Sequence, residues 1–223
     1  MAQLKITYDE LRREIGRFLG YSRTPTDWDT TESQDVADII RGGLRGFYFP
    51  SDMRHQWSFL CPTVSLSLVE GVREYSLPAD FIGFASSVTY SLDDDSGILS
   101  EVDSDELRAA ESTNSLSGTP RYFALSAKPQ VADAYRVTMY PTPDKAYTLH
   151  YSYQQSPAEL SSENQYHLGS AAYSELLLAS CLMVADRMLN KESLDAAGGI
   201  YAQRYVSLLR SSIAVDGGLV SEA

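Results

Sequence analysis

The sequence predicts an α+β protein: a helical bundle built from N- and C-terminal helices, with an antiparallel β domain inserted between them. Three observations point there. Apolar residues recur at helical spacing up to about residue 50, switch to period two between residues 57 and 153, and return to helical spacing after Pro157. Neither flank carries enough helix to bury its own apolar stripes, so the economical arrangement brings the two flanks together. A domain inserted in this way must have its two ends close to each other. The expected boundaries are residues 1–56 for the N-terminal helices, 57–156 for the β domain, 157–213 for the C-terminal helices and 214–223 for a flexible tail.

The first helix is set by Thr7 and Glu10, which have the spacing of a capping box, and by the stripe Leu11, Ile15, Phe18 and Leu19. Gly20 stands where a glycine cap ends a helix. A second helix is expected to begin near Thr31 to Ser33 and to carry Val36, Ile39, Ile40, Leu44 and Phe47 up to Pro50. Its Gly42, Gly43 and Gly46 each weaken it by about 1 kcal/mol relative to alanine, a cost that close approach of another helix would explain.

From Trp57 the period becomes two. Val64, Leu66 and Leu68 alternate with Ser65, Ser67 and Val69; Glu70-Gly71 reads as a hairpin turn, and Val72 to Leu77 returns before Pro78. Phe81 to Ser91 reads as one further strand, followed by an acidic loop at Asp93-Asp94-Asp95-Ser96-Gly97. A short strand over Ile98 to Val102 leads into a small helix capped by Ser104. The stretch from Gly118 to Pro157 then reads as a β-meander of three segments, with Pro141-Thr142-Pro143-Asp144 as a rigid turn. Tyr147, Leu149, Val137 and Met139 fall on its buried face, opposite Arg136, Thr138, Thr148 and His150.

After Pro157, Gly169 to Asn190 predicts a strong helix that is apolar nearly all round, hence buried on several sides. A last helix starting near Ser193 carries Leu194, Ala197, Tyr201, Tyr205 and Leu208 at three-four spacing.

Composition narrows the function. With 223 residues, 43% apolar and 22% charged, the chain can bury a substantial core. No run of about eighteen apolar residues predicts a membrane span, and Met1-Ala2-Gln3-Leu4-Lys5 lacks the apolar core of a secretory signal. Cys61 and Cys181 are too few for a disulfide framework or a zinc site and are expected as buried thiols. A net charge of −12 opposes a surface that grips nucleic-acid phosphates, but suits one past which DNA must slide.

No catalytic parts assemble along the chain. His55, His150 and His167 have no metal-ligand spacing, no glycine-rich phosphate loop follows a strand, and no G-x-S-x-G elbow occurs. The acidic run fails as a calcium loop, because counting from Asp93 puts Ile98 at the sixth position and Ser104 at the twelfth. Trp28 and Trp57 are isolated. No enzymatic activity, metal or cofactor is expected. The 15 tyrosines favour half-exposed sheets and interfaces, and Tyr147, Tyr151 and Tyr153 are read as core or subunit-interface residues. A soluble β-sandwich binding module on a helical bundle, with those tyrosines as a glycan-stacking platform, is the alternative reading.

Three segments carry a resemblance. Glu74-Tyr75-Ser76-Leu77-Pro78-Ala79-Asp80-Phe81 resembles the "eY-LP-DF" signature of tailed-phage head-to-tail adaptor proteins. Gly118-Thr119-Pro120-Arg121-Tyr122-Phe123-Ala124-Leu125 is similar to their "GtP-yyal" segment, and Tyr140-Pro141-Thr142-Pro143-Asp144 with Tyr147 to Tyr153 to their "yPtPd…y-l-Y-y" segment. Their order and spacing cover most of the chain and resemble the head-completion connectors, tail tubular protein A among them. The resemblance implies a structural virion protein in the neck between head and tail, present in the host cytoplasm during assembly. It implies a ring, typically of twelve copies, binding the portal protein on one side and a tail or nozzle protein on the other, with DNA passing through the lumen without specific binding. It also implies that a C-terminal segment docks on the portal, which here assigns Ile213, Val215, Leu219 and Val220 as its apolar residues.

Overall fold

The structure is a computed structural model that describes residues 4–51, 53, 55–92, 97–113, 116–128, 134–190 and 199–217. The chain divides into two compact units, one formed by residues 1–59 with 157–223 and the other by Leu60–Ser156.

The first unit is the helical bundle. Helix α1 (Tyr8–Leu19) starts at Thr7 with both halves of the capping box made and ends at Gly20 in the left-handed conformation. Helix α2 (Thr30–Tyr48) begins slightly before its expected start, because Asp29 and Glu32 form a second capping box. Helix α4 (Ser174–Asn190) is preceded by a short 3-10 turn at Ala171–Tyr173, and α5 covers Ile200–Asp216. Helix α2 packs on α4, α4 on α5, and α1 on both α2 and α4. The two flanks are also tied by polar contacts: the Tyr8 N–H donates to the Gln165 carbonyl at 2.8 Å and Lys5 Nζ to the Gly169 carbonyl at 2.9 Å.

The glycines of α2 explain that packing. A Cβ at Gly43 would overlap the Cys181 sulfur and lie 2.8 Å from Cys181 Cα, and one at Gly46 would lie 2.8 Å from Ser180 Oγ. The two helices therefore meet backbone to backbone. Ser180 Oγ donates to the Gly43 carbonyl and the Tyr205 hydroxyl to the Gly46 carbonyl, both at 2.7 Å, so the crossing is stitched as well as close. Burial at this crossing pushes the Cys181 thiol pKa well up, which keeps it protonated. Cys61, by contrast, is only half-buried.

The second unit holds two four-stranded sheets around one apolar core. Its strands are β1 (Thr63–Leu68), β2 (Glu74–Ser76), β3 (Phe81–Phe84), β4 (Thr89–Tyr90), β5 (Ser100–Glu101), β6 (Tyr122–Ala127), β7 (Tyr135–Tyr140) and β8 (Tyr147–Gln155), with helix α3 (Ser104–Thr113) between β5 and β6. In one sheet β8 is central, with β1 on one side and both β3 and β4 paired to it as well; the other sheet has the order β2-β7-β6-β5. Tyr147, Leu149, Tyr151 and Tyr153 of β8 and Val137 and Met139 of β7 point into the shared core, as their alternation requires.

Four local expectations are corrected. Strands β1 and β2 do not form a hairpin: β1 pairs with β8 (Leu66 opposite Leu149) and β2 with β7, so Glu70-Gly71 carries the chain from one sheet to the other. The meander stops after two strands, since β7 already has β6 on one side and β2 on the other, leaving no edge for β8. The segment Phe81 to Ser91 is two strands, because Ala85 N–H and Ser86 N–H both donate to the Ser152 carbonyl and break the ladder. Finally, the unit is not purely antiparallel: β5 pairs in parallel with β6, a connection for which α3 supplies the crossover.

Candidate docking surface

The end of α5 is where the sequence places a docking segment. Its helical register buries Ala202, Tyr205, Leu209, Ser212 and Ile213 along one stripe. Ile213 is only 2% exposed and belongs to the core of the helical unit, so its assignment as a docking residue is corrected. Val215 is 72% exposed. Leu219 and Val220 lie outside the described residues. The helix also continues to Asp216 and closes on Gly217 at φ 83°, so residues 214–217, expected in a flexible tail, are helix and its cap.

Asp216 is the residue sequence reasoning missed. Its side chain is only 4% exposed and collects donors from two separate segments. Its Oδ2 accepts from the Ser58 N–H at 2.9 Å and from His55 Nε2 at 3.0 Å; its Oδ1 accepts from Ser58 Oγ at 2.5 Å and from the Tyr173 hydroxyl at 3.3 Å. Since a carboxylate only accepts, the network assigns the His55 proton to Nε2. This is not a nucleophilic triad, because serine and histidine both point at the carboxylate and not at each other. Burial, then the Asp216 charge and hydrogen bond, raises the Tyr173 pKa.

Beneath the clasp lies an aromatic cluster. Trp57 is fully buried, stacks against Phe59 at 5.4 Å, meets Tyr173 edge-on at 5.3 Å, and donates its indole N–H to the Phe47 carbonyl. Trp28 is likewise core, lying against Gly16, where a Cβ would overlap its ring. His167 is buried beside Phe47. Its Nδ1 faces the Leu168 carbonyl at 2.5 Å and must donate, which leaves Nε2 to accept from Ser174 Oγ at 3.3 Å. Ser174 Oγ in turn accepts from the Ile6 N–H. Burial lowers the His167 pKa to about 4, so it is a neutral structural histidine. His150 is exposed on β8.

Tyr147, Tyr151 and Tyr153 are between 3% and 5% exposed and line the core of the β unit. Their rings are spent inside their own chain, which removes both the interface assignment and the glycan platform. Burial and the hydrogen bond to Asp80 raise the Tyr153 phenol to about 12. The apolar surface of this unit lies elsewhere, at residues such as Val69, Val72, Ile98 and Leu116. Val69 and Val72 flank a turn held by one phenol: the Tyr75 hydroxyl accepts from the Val69 N–H at 2.8 Å and donates to the Val72 carbonyl at 2.7 Å. A cleft of about 350 Å3 is lined by Arg73, Arg108, Glu111, Leu116, Tyr140 and Thr142, with the Arg73–Glu111 ion pair (2.6 Å) on its wall.

In the helical unit the exposed apolar side chains include Leu4, Phe49, Leu168, Met188, Leu189, Ile200 and Val215. Among the described residues, no group of three or more His, Cys, Asp and Glu side chains is placed to hold a metal, and no helix is long and apolar enough to cross a membrane. Asp93, Asp94 and Asp95 of the acidic loop lie outside the described residues.

The family model for the SU10 adaptor protein matches residues 6–220, and so runs through both units. The chain belongs to the SU10 adaptor protein family. This is a family of phage adaptors. No curated protein matches the chain.

Proposed function

We propose that the chain is a structural subunit of a phage neck: a head-to-tail adaptor that assembles as a ring, of about twelve copies as in the oligomers its motifs resemble, between the portal protein and a tail or nozzle protein. The observation that carries this is the adaptor-family match across residues 6–220, which embraces both the helical bundle and the inserted β unit. The tail tubular protein A-like affinity rests on the order of the three motifs around Tyr75, Thr119 and Pro141. Work is done by assembly and not by chemistry.

The net charge of −12 supports a lumen past which DNA moves without specific binding, since phosphate is repelled at short range. Portal docking falls to Val215, Leu219 and Val220, with Ile213 reassigned to the core. Neighbouring subunits meet through the exposed apolar residues and not through Tyr147, Tyr151 or Tyr153. The place of action is the virion neck, after assembly in the host cytoplasm.

Size-exclusion chromatography with light scattering, on the chain mixed with the portal protein of the same phage, tests this. The expected product is a complex with several adaptor copies per portal ring. A chain that stays folded and elutes apart from the portal at micromolar concentration contradicts it. A chain ending at Gly217 should bind more weakly, and equal binding would remove the C-terminal docking role.

A further inference from the structure

An edge strand ends its sheet with unpaired backbone groups, and folds blunt such edges with short length, charge, bulges or a covering element. In the β unit, β2 has three residues and carries Glu74, and β3 is interrupted by a bulge between Phe81 and Gly83. Strand β4 has two residues with Thr89 bridged to Ile98 on its far side, and β5 has two residues, carries Glu101 and leads into α3. Strand β1 has none of these devices. It runs six residues, Thr63-Val64-Ser65-Leu66-Ser67-Leu68, in unbroken register with β8, and has no charge, proline or bulge. The Tyr153 N–H donates to the Pro62 carbonyl, so in the antiparallel register the hydrogen-bonded pairs recur at Val64, Leu66 and Leu68. The N–H and C=O groups of Thr63, Ser65 and Ser67 therefore point away from β8. These three residues are exposed, and among the described residues no other backbone group pairs with theirs. Val64 and Leu66, on the core face, are only half-buried at its rim.

We propose that the free chain forms a two-fold dimer by joining β1 to β1 of a second copy, antiparallel and edge to edge. The outward groups are symmetric about Ser65, which is what a two-fold contact requires of a surface that meets itself. With Ser65 opposite the partner's Ser65 and Thr63 opposite the partner's Ser67, every outward N–H and C=O of β1 gains a partner. The same register sets Val64 against the partner's Leu66 on the core face, completing the cover of both side chains. Charge favours this site for self-association. The chain carries a net charge of −12, which opposes contact between copies, yet β1 brings no charged side chain opposite another. A two-fold pair is closed and does not build a ring, so the dimer belongs to the chain before ring assembly and stands whether or not the adaptor reading holds.

The test is sedimentation velocity on the full chain, without portal, from about 1 to 100 μM. The native chain should pass from monomer to twice the monomer mass across this range. Ser65→Pro removes the N–H that points at the partner and none that points at β8, so it should weaken the dimer about tenfold or more while the chain stays folded. Ser65→Lys sets two like charges face to face at the axis and should weaken it about fivefold, and it carries the test if the proline variant fails to fold. Register is read by cross-linking under air oxidation: Ser65→Cys should give a disulfide-linked dimer, and Thr63→Cys, which faces the partner's Ser67, should not. A monomer throughout the range overturns the proposal and leaves this edge to an extended segment of another protein. A dimer that Ser65→Pro and Ser65→Lys leave unchanged, or that Thr63→Cys cross-links as readily as Ser65→Cys, overturns it as well.

Discussion

The α2–α4 crossing of the helical unit and the core of the β unit are packed on opposite principles. In the helical unit the decisive crossing is made by missing side chains: Gly43 and Gly46 let α2 reach the backbone of α4, with Ser180 and Tyr205 stitching the contact. In the β unit the core is made by large rings. Phe81 lies 5.0 Å from Phe84 and 5.6 Å from both Tyr135 and Tyr153, and Phe84 lies 5.2 Å from Phe123. The crossing should therefore fail when atoms are added and the β core when atoms are removed.

The largest effect should come from Phe81→Ala, which opens a void among aromatic rings and should cost about 4 kcal/mol, read from chemical denaturation. Hydrogen exchange should place the loss in residues 60–156; a loss confined to the helices would break the comparison.

Acid should act on the other unit. His167 has its pKa lowered from 6.5 to about 4 by burial, so below pH 6.5 the unfolded chain binds a proton that the native chain does not. Its contribution to stability is whole above pH 6.5 and is lost as pH falls towards 4, by up to about 3 kcal/mol. Urea unfolding at several pH values should show this slope in the native chain and its disappearance in His167→Gln. An unchanged slope would mean that other groups set the acid limit.

Two glycine substitutions give the smaller effects and the sharpest contrast. Gly43→Ala forces its methyl against Cys181 and should cost about 2 kcal/mol. Gly83→Ala, in β3, meets nothing within 4 Å and should stay within about 0.5 kcal/mol. Equal costs at the two positions would show that helix or strand propensity, and not close approach, governs both.

What was legible in the sequence were the features that local chemistry decides. The Thr7–Glu10 capping box, the Gly20 cap and the close approach implied by Gly42, Gly43 and Gly46 all stand in the structure. So does the inward face of Tyr147, Leu149, Val137 and Met139. Strand partnership was not legible, because period-two alternation says which face is buried and not which strand lies alongside. Hence β1 and β2, neighbours in the chain, belong to different sheets. The tyrosines misled for a related reason: an amphipathic ring suits a core with a hydroxyl partner as well as an interface, and Asp80 and Asp144 supply such partners to Tyr153 and Tyr147. The role of Asp216 was not legible. Its signal was there in principle, as an acid at a helix C-terminus, but its donors lie 43 to 161 residues away in the chain.

The most direct test of the central claim is electron microscopy of the chain mixed with the portal protein of the same phage. The account predicts a ring of adaptor subunits seated on the portal, with the residues that follow Asp216 in contact with portal subunits. Folded adaptor left unbound beside bare portals, or a ring that meets the portal only through residues 60–156, would contradict it.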